Sequence, residues 1–123
     1  MLRNIAFVSC FAFSLLFAAD PKLLKDAQAK VDAKKFDEAI SLLEPAYKAS
    51  PKDTALAKAL ANAHLKYGDS YMFNDQLPPR QKYRPALAQY RDVLKYDKDN
   101  KDAQTKIQTI ENVYKSMGMP IPQ

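Results

Sequence analysis

Apolar residues recur at helical spacing along most of the chain, and this pattern predicts five helices. No segment alternates between apolar and polar residues with a period of two, so no sheet is expected. The fold class predicted from the pattern is therefore all-α. The apolar faces of the five predicted helices are Leu24, Ala27 and Val31; Phe36, Ala39, Ile40, Leu43, Ala46 and Tyr47; Leu56, Ala59, Leu60, Ala63 and Tyr67; Tyr83, Ala86, Leu87, Tyr90, Val93 and Leu94; and Ala103, Ile107, Ile110, Tyr114 and Met117.

Capping signals set the expected ends of these helices. Asp20 and the proline after it are typical of a helix start, as are Ser50 with its following proline and, further on, Asn100. Gly118 is expected to end the last helix, because the segment "MPIPQ" cannot continue it. Residues 20–119 are therefore predicted to form one helical domain, followed by a tail over 120–123.

The first 19 residues have the composition of a secretory signal peptide. Arg3 precedes an uncharged apolar run that ends in the small residues Ala18 and Ala19. The sequence therefore predicts an exported protein that is secreted or periplasmic, with a signal-peptide helix before the domain. A membrane anchor is the alternative if this segment is not cleaved. Cys10, the one cysteine, lies in this segment, so the mature domain is expected to depend on packing alone.

The charge pattern does not indicate a nucleic-acid surface. The chain has 19 lysines and arginines against 14 aspartates and glutamates, a formal net charge of +5. The two signs are interleaved, as in "KVDAKKFDEA", which is typical of solvated helix exteriors. No nucleic-acid partner is expected.

Two segments of the chain are similar to each other at an offset of 47 residues. "KKFDEAISLLEPAYKASPKDTAL" aligns with "QKYRPALAQYRDVLKYDKDNKDA", so that Phe36 corresponds to Tyr83 and Leu43 to Tyr90. These segments resemble the tetratricopeptide repeat family, whose unit is an antiparallel helix pair of 34 residues. The residues that carry the resemblance are Phe36, Ala39, Leu43, Ala46 and Pro51 in the second helix, and Ala27 and Ala61 in the first helices.

The resemblance implies a short right-handed α-solenoid of antiparallel helix pairs, about two and a half units in five helices. In the family, Gly68 would fall near the turn between paired helices, and the closing proline of the second unit is replaced by Lys98. The last helix would be half a unit that caps the stack.

The offset of 47 rather than 34 implies an insertion of 13 residues at about 70–82, within the second unit. The third helix is expected to continue to about Phe73, with a turn at 74–79. The fourth helix is expected to begin between Arg80 and Arg84, which would place Pro85 within or near its first turn.

Two surfaces are candidates for binding a partner. Tyr71, Met72 and Phe73 of the insertion either cover an open end of the small core or form an apolar docking surface. The resemblance also implies a concave surface with Lys58, Asn62, Leu65 and Lys66. Lys58 and Asn62 lie one turn apart and match part of a family clamp for carboxylates, but Lys106 stands where another asparagine is expected.

Enzymatic function is not expected. His64 is the one histidine and falls near the packed face of the third helix, where it is expected to be structural. No cluster of metal ligands, nucleophile motif or glycine-rich phosphate loop is present, so no metal and no cofactor are expected.

The sequence leaves three functional hypotheses. The leading one is an exported protein–protein interaction module, an adaptor or scaffold in the cell envelope that binds a protein or peptide without catalysis. The alternative is a structural or assembly subunit that forms a homo-oligomer or completes a larger envelope complex. A ligand carrier or small enzyme would require a pocket beneath the insertion.

Overall fold

The computed structural model describes residues 19–123, and within them it contains five α-helices and no strand. The helices are α1 (Pro21–Asp32), α2 (Phe36–Ala49), α3 (Thr54–Met72), α4 (Pro79–Tyr96) and α5 (Lys101–Ser116). Each helix packs against the next one along the chain, and α1 also contacts α3. The predicted all-α stack of helix pairs is therefore confirmed. The predicted signal peptide, residues 1–19, lies almost entirely outside the described residues.

Side-chain caps determine where three of these helices begin. Asp20 accepts a hydrogen bond from the backbone N–H two residues later, and Asn100 from the N–H three residues later, as the sequence predicts. The prediction that Ser50 and Pro51 start the third helix is wrong. Asp53 caps α3 instead, because its carboxylate accepts from the backbone N–H groups two and three residues later, at 2.9 and 3.2 Å. Ser50 ends α2, and Pro51 lies in the turn.

The 34-residue repeat is visible as a register between α1 and α3. The backbone N–H of Ala19 donates to the Asp53 carboxylate at 2.8 Å, and the Asn62 amide donates to the Gln28 side-chain oxygen at 3.3 Å. Both pairs are 34 residues apart in the sequence. Since the same offset holds at the start and in the middle of the helices, α1 and α3 lie parallel and in register.

The insertion lengthens both helices of the second pair. A 34-residue offset from the end of α1 leads to Lys66, but α3 continues to Met72. A 47-residue offset from the start of α2 leads to Tyr83, yet α4 already begins at Pro79. The extra residues therefore extend α3 at its end and α4 at its start, and the loop over 73–78 joins them. Both helices of the α3–α4 pair are therefore longer than those of the α1–α2 pair.

The predicted boundaries in this region need one correction. α3 ends where predicted, with Phe73 as its C-cap residue. α4 begins one residue before the expected range, at Pro79, which suits the first helical position because a proline there loses no hydrogen bond. Pro85 therefore lies inside α4 and not in its first turn. It leaves the carbonyl of Gln81 without its usual helical donor.

The second half of the core is centred on Tyr90, which is fully buried on α4 and packs against Gly68 of α3. A Cβ atom at Gly68 would lie 2.6 Å from Cε1 of the Tyr90 ring. Gly68 lies inside α3, so the expectation that it marks a turn between helices is wrong. Its missing side chain allows the ring to approach the α3 backbone. The other large and fully buried side chains are Leu43, Leu56, Leu60, Leu87, Val93 and Ile110.

The C-terminal residues close the open end of the stack. Gly118 adopts the left-handed conformation (φ 66°) that ends α5, and the chain turns back onto the core. Met119 and Ile121 pack against the cluster around Tyr90, and the Arg91 guanidinium donates to the carbonyl of Pro122 at 2.7 Å. The tail therefore extends the cap that was predicted for α5 alone.

Gly68→Ala is expected to lower the free energy of unfolding by about 1–3 kcal/mol, because the new methyl group would push the buried Tyr90 ring out of its packed position. The opposing gain in helix propensity, at most about 1 kcal/mol, is smaller. Urea unfolding followed by circular dichroism measures the change. Ser70→Ala, at an exposed position of the same helix, is the control and should change stability by less than about 0.5 kcal/mol. A more stable Gly68→Ala variant would contradict the close packing.

Candidate functional site

A groove of about 1060 Å³ runs along α1, α3 and the loop after α3. Both first helices of the helix pairs contribute to it, as does the segment that the insertion adds. The groove is lined by Gln28, Val31, Asp32, Lys34, Phe36, Asn62, Lys66, Tyr67, Asp69, Ser70, Tyr71, Phe73, Asn74 and Leu77. One end is thus mainly polar, whereas the end near the loop carries aromatic and aliphatic side chains.

Three stacked aromatic rings form one wall of the groove. The ring centroid of Tyr67 lies 5.2 Å from that of Phe36 and also 5.2 Å from that of Tyr71. The Tyr71 hydroxyl donates to the Tyr67 hydroxyl, which in turn donates to Asp37, each at 3.3 Å. The hydrogen bond with Tyr71, together with burial, raises the pKa of Tyr67 above its ordinary value. The wall is therefore neutral and rigid, because stacking and hydrogen bonds fix the rings together.

A half-buried polar junction adjoins the groove at Asp69, which is itself part of the lining. The Asp69 carboxylate of α3 accepts from the Tyr90 hydroxyl of α4 and from the Lys106 ammonium of α5, each at 2.7 Å. Lys106 also donates to Asp102 at 2.9 Å. Three helices thus meet at one carboxylate, which fixes the end of α3 relative to the rest of the stack.

The junction changes the acid–base properties of its members. Burial, aided by the hydrogen bond to Asp69, raises the pKa of Tyr90 far above its ordinary value. Burial alone would lower the pKa of Lys106, but the hydrogen bonds to Asp69 and Asp102 outweigh it and raise that pKa. Asp69 is therefore engaged by an ammonium that stays charged at neutral pH, and it adds little negative charge to the groove.

Phe73 stands apart from the other aromatic residues of the insertion. Its side chain is 63% exposed, whereas Tyr71 and Met72 are half-buried and pack against the core around Tyr90. The Lys106 ammonium lies 5.6 Å from the centre of the Phe73 ring, within the range of a cation–π contact. The insertion therefore agrees in part with each of the two alternatives from the sequence. Tyr71 and Met72 cover the core, whereas Phe73 stays exposed in the groove.

Four of the seven candidate partner-binding residues line this groove, namely Asn62, Lys66, Tyr71 and Phe73. The other three do not. Lys58 is exposed outside it, and Leu65 and Met72 pack against the core around Tyr90. The carboxylate clamp suggested by Lys58 and Asn62 is also not assembled, because the Asn62 amide donates to Gln28 and Lys106 is held by two aspartates. A role of all seven residues in partner binding stays a prediction.

Lys34 is a groove residue that the sequence pattern did not reveal. It has a left-handed backbone conformation (φ 60°), which a residue with a side chain adopts only at a cost. The backbone N–H groups of Lys34 and Lys35 donate to the carbonyls of Val31 and Lys30, so this is the usual left-handed ending of α1. Glycine is the residue expected at such a helix end. Because the chain has a lysine there, no glycine signal in the sequence marked the position.

His64 has a structural environment, as the sequence predicts. It is 6% exposed, its Nδ1 lies 2.8 Å from the Gln89 side-chain oxygen, and its ring stacks on Tyr96 at 5.7 Å. Residues 19–123 contain no group of three or more potential ligands that could hold a metal ion. None of the helices in the same range combines the length and apolar character that crossing a membrane requires.

Comparison with known protein families identifies a tetratricopeptide repeat over residues 30–70. The matched range contains the end of α1, all of α2 and most of α3, and so includes parts of both helices that are in 34-residue register, α1 and α3. No curated protein and no solved structure matches the chain. The match supports the resemblance to the tetratricopeptide repeat family that the residues of this segment predict.

Stability is expected to fall as the pH rises above about 10. Tyr90 and Lys106 both have raised pKa values in the folded chain, so the unfolded chain releases these protons first and is favoured at high pH. Urea unfolding between about pH 8 and pH 11 measures the effect. Tyr90→Phe should flatten the dependence, whereas Tyr83→Phe, outside the junction, should leave it unchanged. Equal slopes in the wild type and both variants would contradict the junction's role.

Lys34→Gly is expected to raise the free energy of unfolding by about 0.5–1 kcal/mol, because glycine removes the strain of the left-handed conformation. Ala33→Gly is the matched control at the preceding residue, whose φ of −81° offers glycine no advantage. That control should lower stability by about 0.5–1 kcal/mol. Urea unfolding compares the two, and a destabilised Lys34→Gly variant would contradict the interpretation.

Proposed function

We propose that this chain, whose residues 30–70 carry a tetratricopeptide repeat, is an exported interaction module that binds a protein segment in its groove. The repeat suggests a module for protein–protein interaction, and such repeats are typically non-catalytic. The observation that carries the proposal is the groove itself. It combines an exposed Phe73, an aromatic wall and side-chain amides on one continuous surface.

The groove is suited to an extended segment. Its volume of about 1060 Å³ lies just above the range for pockets that enclose small ligands, which is roughly 300–1000 Å³. Its lining extends from Gln28 on α1, along α3, to Leu77 in the loop after α3. It thus includes helices from two different repeat units. An extended peptide can place apolar side chains against the aromatic end while its backbone meets the amides of Gln28 and Asn62.

The absence of catalysis is part of the proposal. The histidine that an acid–base mechanism would use is buried between α3 and α4, where it contacts Gln89 and Tyr96. The carboxylate of Asp69 is engaged by Tyr90 and Lys106. Neither group is placed to transfer a proton to a molecule in the groove.

Export is proposed from the sequence of residues 1–19, which has the order of a signal peptide. The protein would then act in the periplasm or outside the cell, and it would be attached to a membrane only if this segment is retained. Mass spectrometry of the N-terminus of the protein isolated from its own cells tests this. A chain that starts near Asp20 supports export, and a chain that starts at Met1 in the cytoplasmic fraction argues against it.

A structural or assembly subunit is the second candidate. The observation that favours it is Leu42 on α2, which is 39% exposed and lies outside the groove. Apolar side chains at such positions can stack one copy on another or complete a larger complex. A molecular mass that rises with protein concentration, and that Leu42→Ser returns to the mass of one chain, would favour this candidate.

Photo-crosslinking tests the interaction directly. The full-length chain would carry the photoreactive analogue benzoylphenylalanine in place of Phe73, and in a control in place of Leu42, in its own cells. The proposal expects one discrete crosslinked protein from position 73 and none from position 42. Crosslinks of equal pattern from both positions, or a crosslink only from position 42, would overturn the groove as the partner site.

A further inference from the structure

The charges in the groove do not cancel. Four charged side chains line it, namely Asp32, Lys34, Lys66 and Asp69. Asp69 is bound to Lys106 at 2.7 Å and contributes little free charge. Asp32 accepts a hydrogen bond from the Gln28 side chain at 2.9 Å. Asp32 keeps its negative charge, because the Gln28 amide that donates to it is neutral. Within residues 19–123, neither Lys34 nor Lys66 forms an ion pair, so the lining carries two ammonium groups against the one free carboxylate of Asp32.

The apolar end of the groove lies beside these ammonium groups. Lys66 and Ser70 are followed by Tyr71 in the last turn of α3 and by Phe73 at its C-cap, and Leu77 completes this end from the loop. Phe73 is the most exposed of the large apolar side chains that the structure describes. A partner that removes this ring from water gains the free energy of apolar burial, roughly 25 cal/mol per Å² of area. An occupant therefore needs an anionic group to pair with the lysines and, close to it, an apolar group to pack against Phe73.

We infer that the occupant is an extended protein segment that carries one large apolar side chain with carboxylates close to it on the chain. This inference rests on the proposed function and specifies its partner. The apolar side chain would pack against Phe73 and Leu77, and the carboxylates would pair with Lys66 and Lys34. The partner's specificity would thus depend on residues that the insertion adds to the repeat.

The backbone conformation of Lys34 is a second observation that supports this assignment. A glycine would end α1 without strain, yet the chain has a lysine there that points into the groove's lining. Strained residues persist where a side chain contributes something that the relaxed residue cannot. An ammonium group at the edge of a binding groove is such a contribution.

A nucleic acid is a poorer match to the same surface. Single-stranded nucleic acids need a continuous row of cations that follows the phosphates. The groove has two lysines outside any ion pair in the described residues, and its aromatic rings at Phe36, Tyr67 and Tyr71 already stack on one another. A carboxylate-bearing peptide needs only the two cations and one apolar contact.

The test uses three synthetic peptides and the ¹⁵N-labelled full-length chain. In the first peptide one phenylalanine is flanked on each side by two glutamates, in the second the glutamates are glutamines, and in the third the phenylalanine is serine. Nuclear magnetic resonance titration gives the affinity and the position of binding. The inference expects shifts at Lys66, Phe73 and Leu77 with the first peptide, and roughly tenfold weaker binding for the other two.

Two pairs of variants assign the effect to the groove. Lys66→Gln should weaken binding of the glutamate peptide about threefold and leave the glutamine peptide unchanged, whereas Lys52→Gln, an exposed lysine outside the groove, should change neither. Phe73→Ser should weaken both peptides that contain phenylalanine, and Leu42→Ser neither. Raising sodium chloride from about 50 to about 500 mM should weaken only the glutamate peptide and the serine peptide.

The outcomes separate this inference from the proposed function. Equal affinity for the glutamate and glutamine peptides would overturn the acidic partner and leave a neutral segment in the groove. Binding of none of the three peptides, together with a discrete protein crosslinked to position 73, would overturn the inferred chemistry but not the interaction module. Tighter binding of a single-stranded oligonucleotide, lost in Lys66→Gln, would overturn both.

Discussion

The packing of Tyr90 against Gly68 is the constraint on which the second half of the structure depends. The ring fills the space that a side chain on α3 would otherwise occupy, and its hydroxyl reaches Asp69 at 2.7 Å. A buried hydroxyl needs such a partner, because an unpaired one costs roughly 1–3 kcal/mol. The same carboxylate holds Lys106, so α3, α4 and α5 are fixed at one point.

The groove is a consequence of this junction together with the insertion. If α3 ended one repeat length after α1, at Lys66, it would carry neither Tyr71 nor Phe73. The added turns of α3 extend beyond the shorter α1–α2 pair. Their exposed side and the end of α1 together form a concave surface. Lys106 stabilises this extension from behind by pairing with Asp69 and lying over the Phe73 ring. A short stack of helices thereby gains a concave surface without a further repeat.

Much of the fold could be predicted because it depends on local and periodic signals. The apolar spacing predicts the helices, Asp20 and Asn100 predict two of the starts, and the offset of 47 residues predicts where the second pair is lengthened. Asp53 was missed as a cap because Ser50 and Pro51 offered a similar signal three residues earlier. The roles of Gly68 and Asp69 could not be predicted, since they depend on which α4 and α5 side chains approach them.

The candidate site was predictable in part for the same reason. Asn62 and Lys66 lie one turn apart on α3, and Phe73 follows on the same side at its C-cap, so helical spacing brings these three together. Tyr71 falls nearly opposite Asn62 at about 3.6 residues per turn and reaches the groove through its stacking on Tyr67. Lys58 falls too far back along the helix, and Leu65 turns toward the core. Lys34 belongs to a different helix pair, and only the packing of α1 against α3 brings it to the groove.

Hydrogen exchange at the end of α3 tests the central claim most directly, which is that the junction at Asp69 holds the groove in place. The Phe73 amide donates to the Asp69 carbonyl at 3.0 Å and reports on this turn. In a Lys106→Met variant, which keeps most of the unbranched side chain and removes the ammonium group, the account predicts faster exchange at Phe73 and unchanged exchange in α2. Unchanged exchange at Phe73 would show that the end of α3 is held without the junction and would contradict the account.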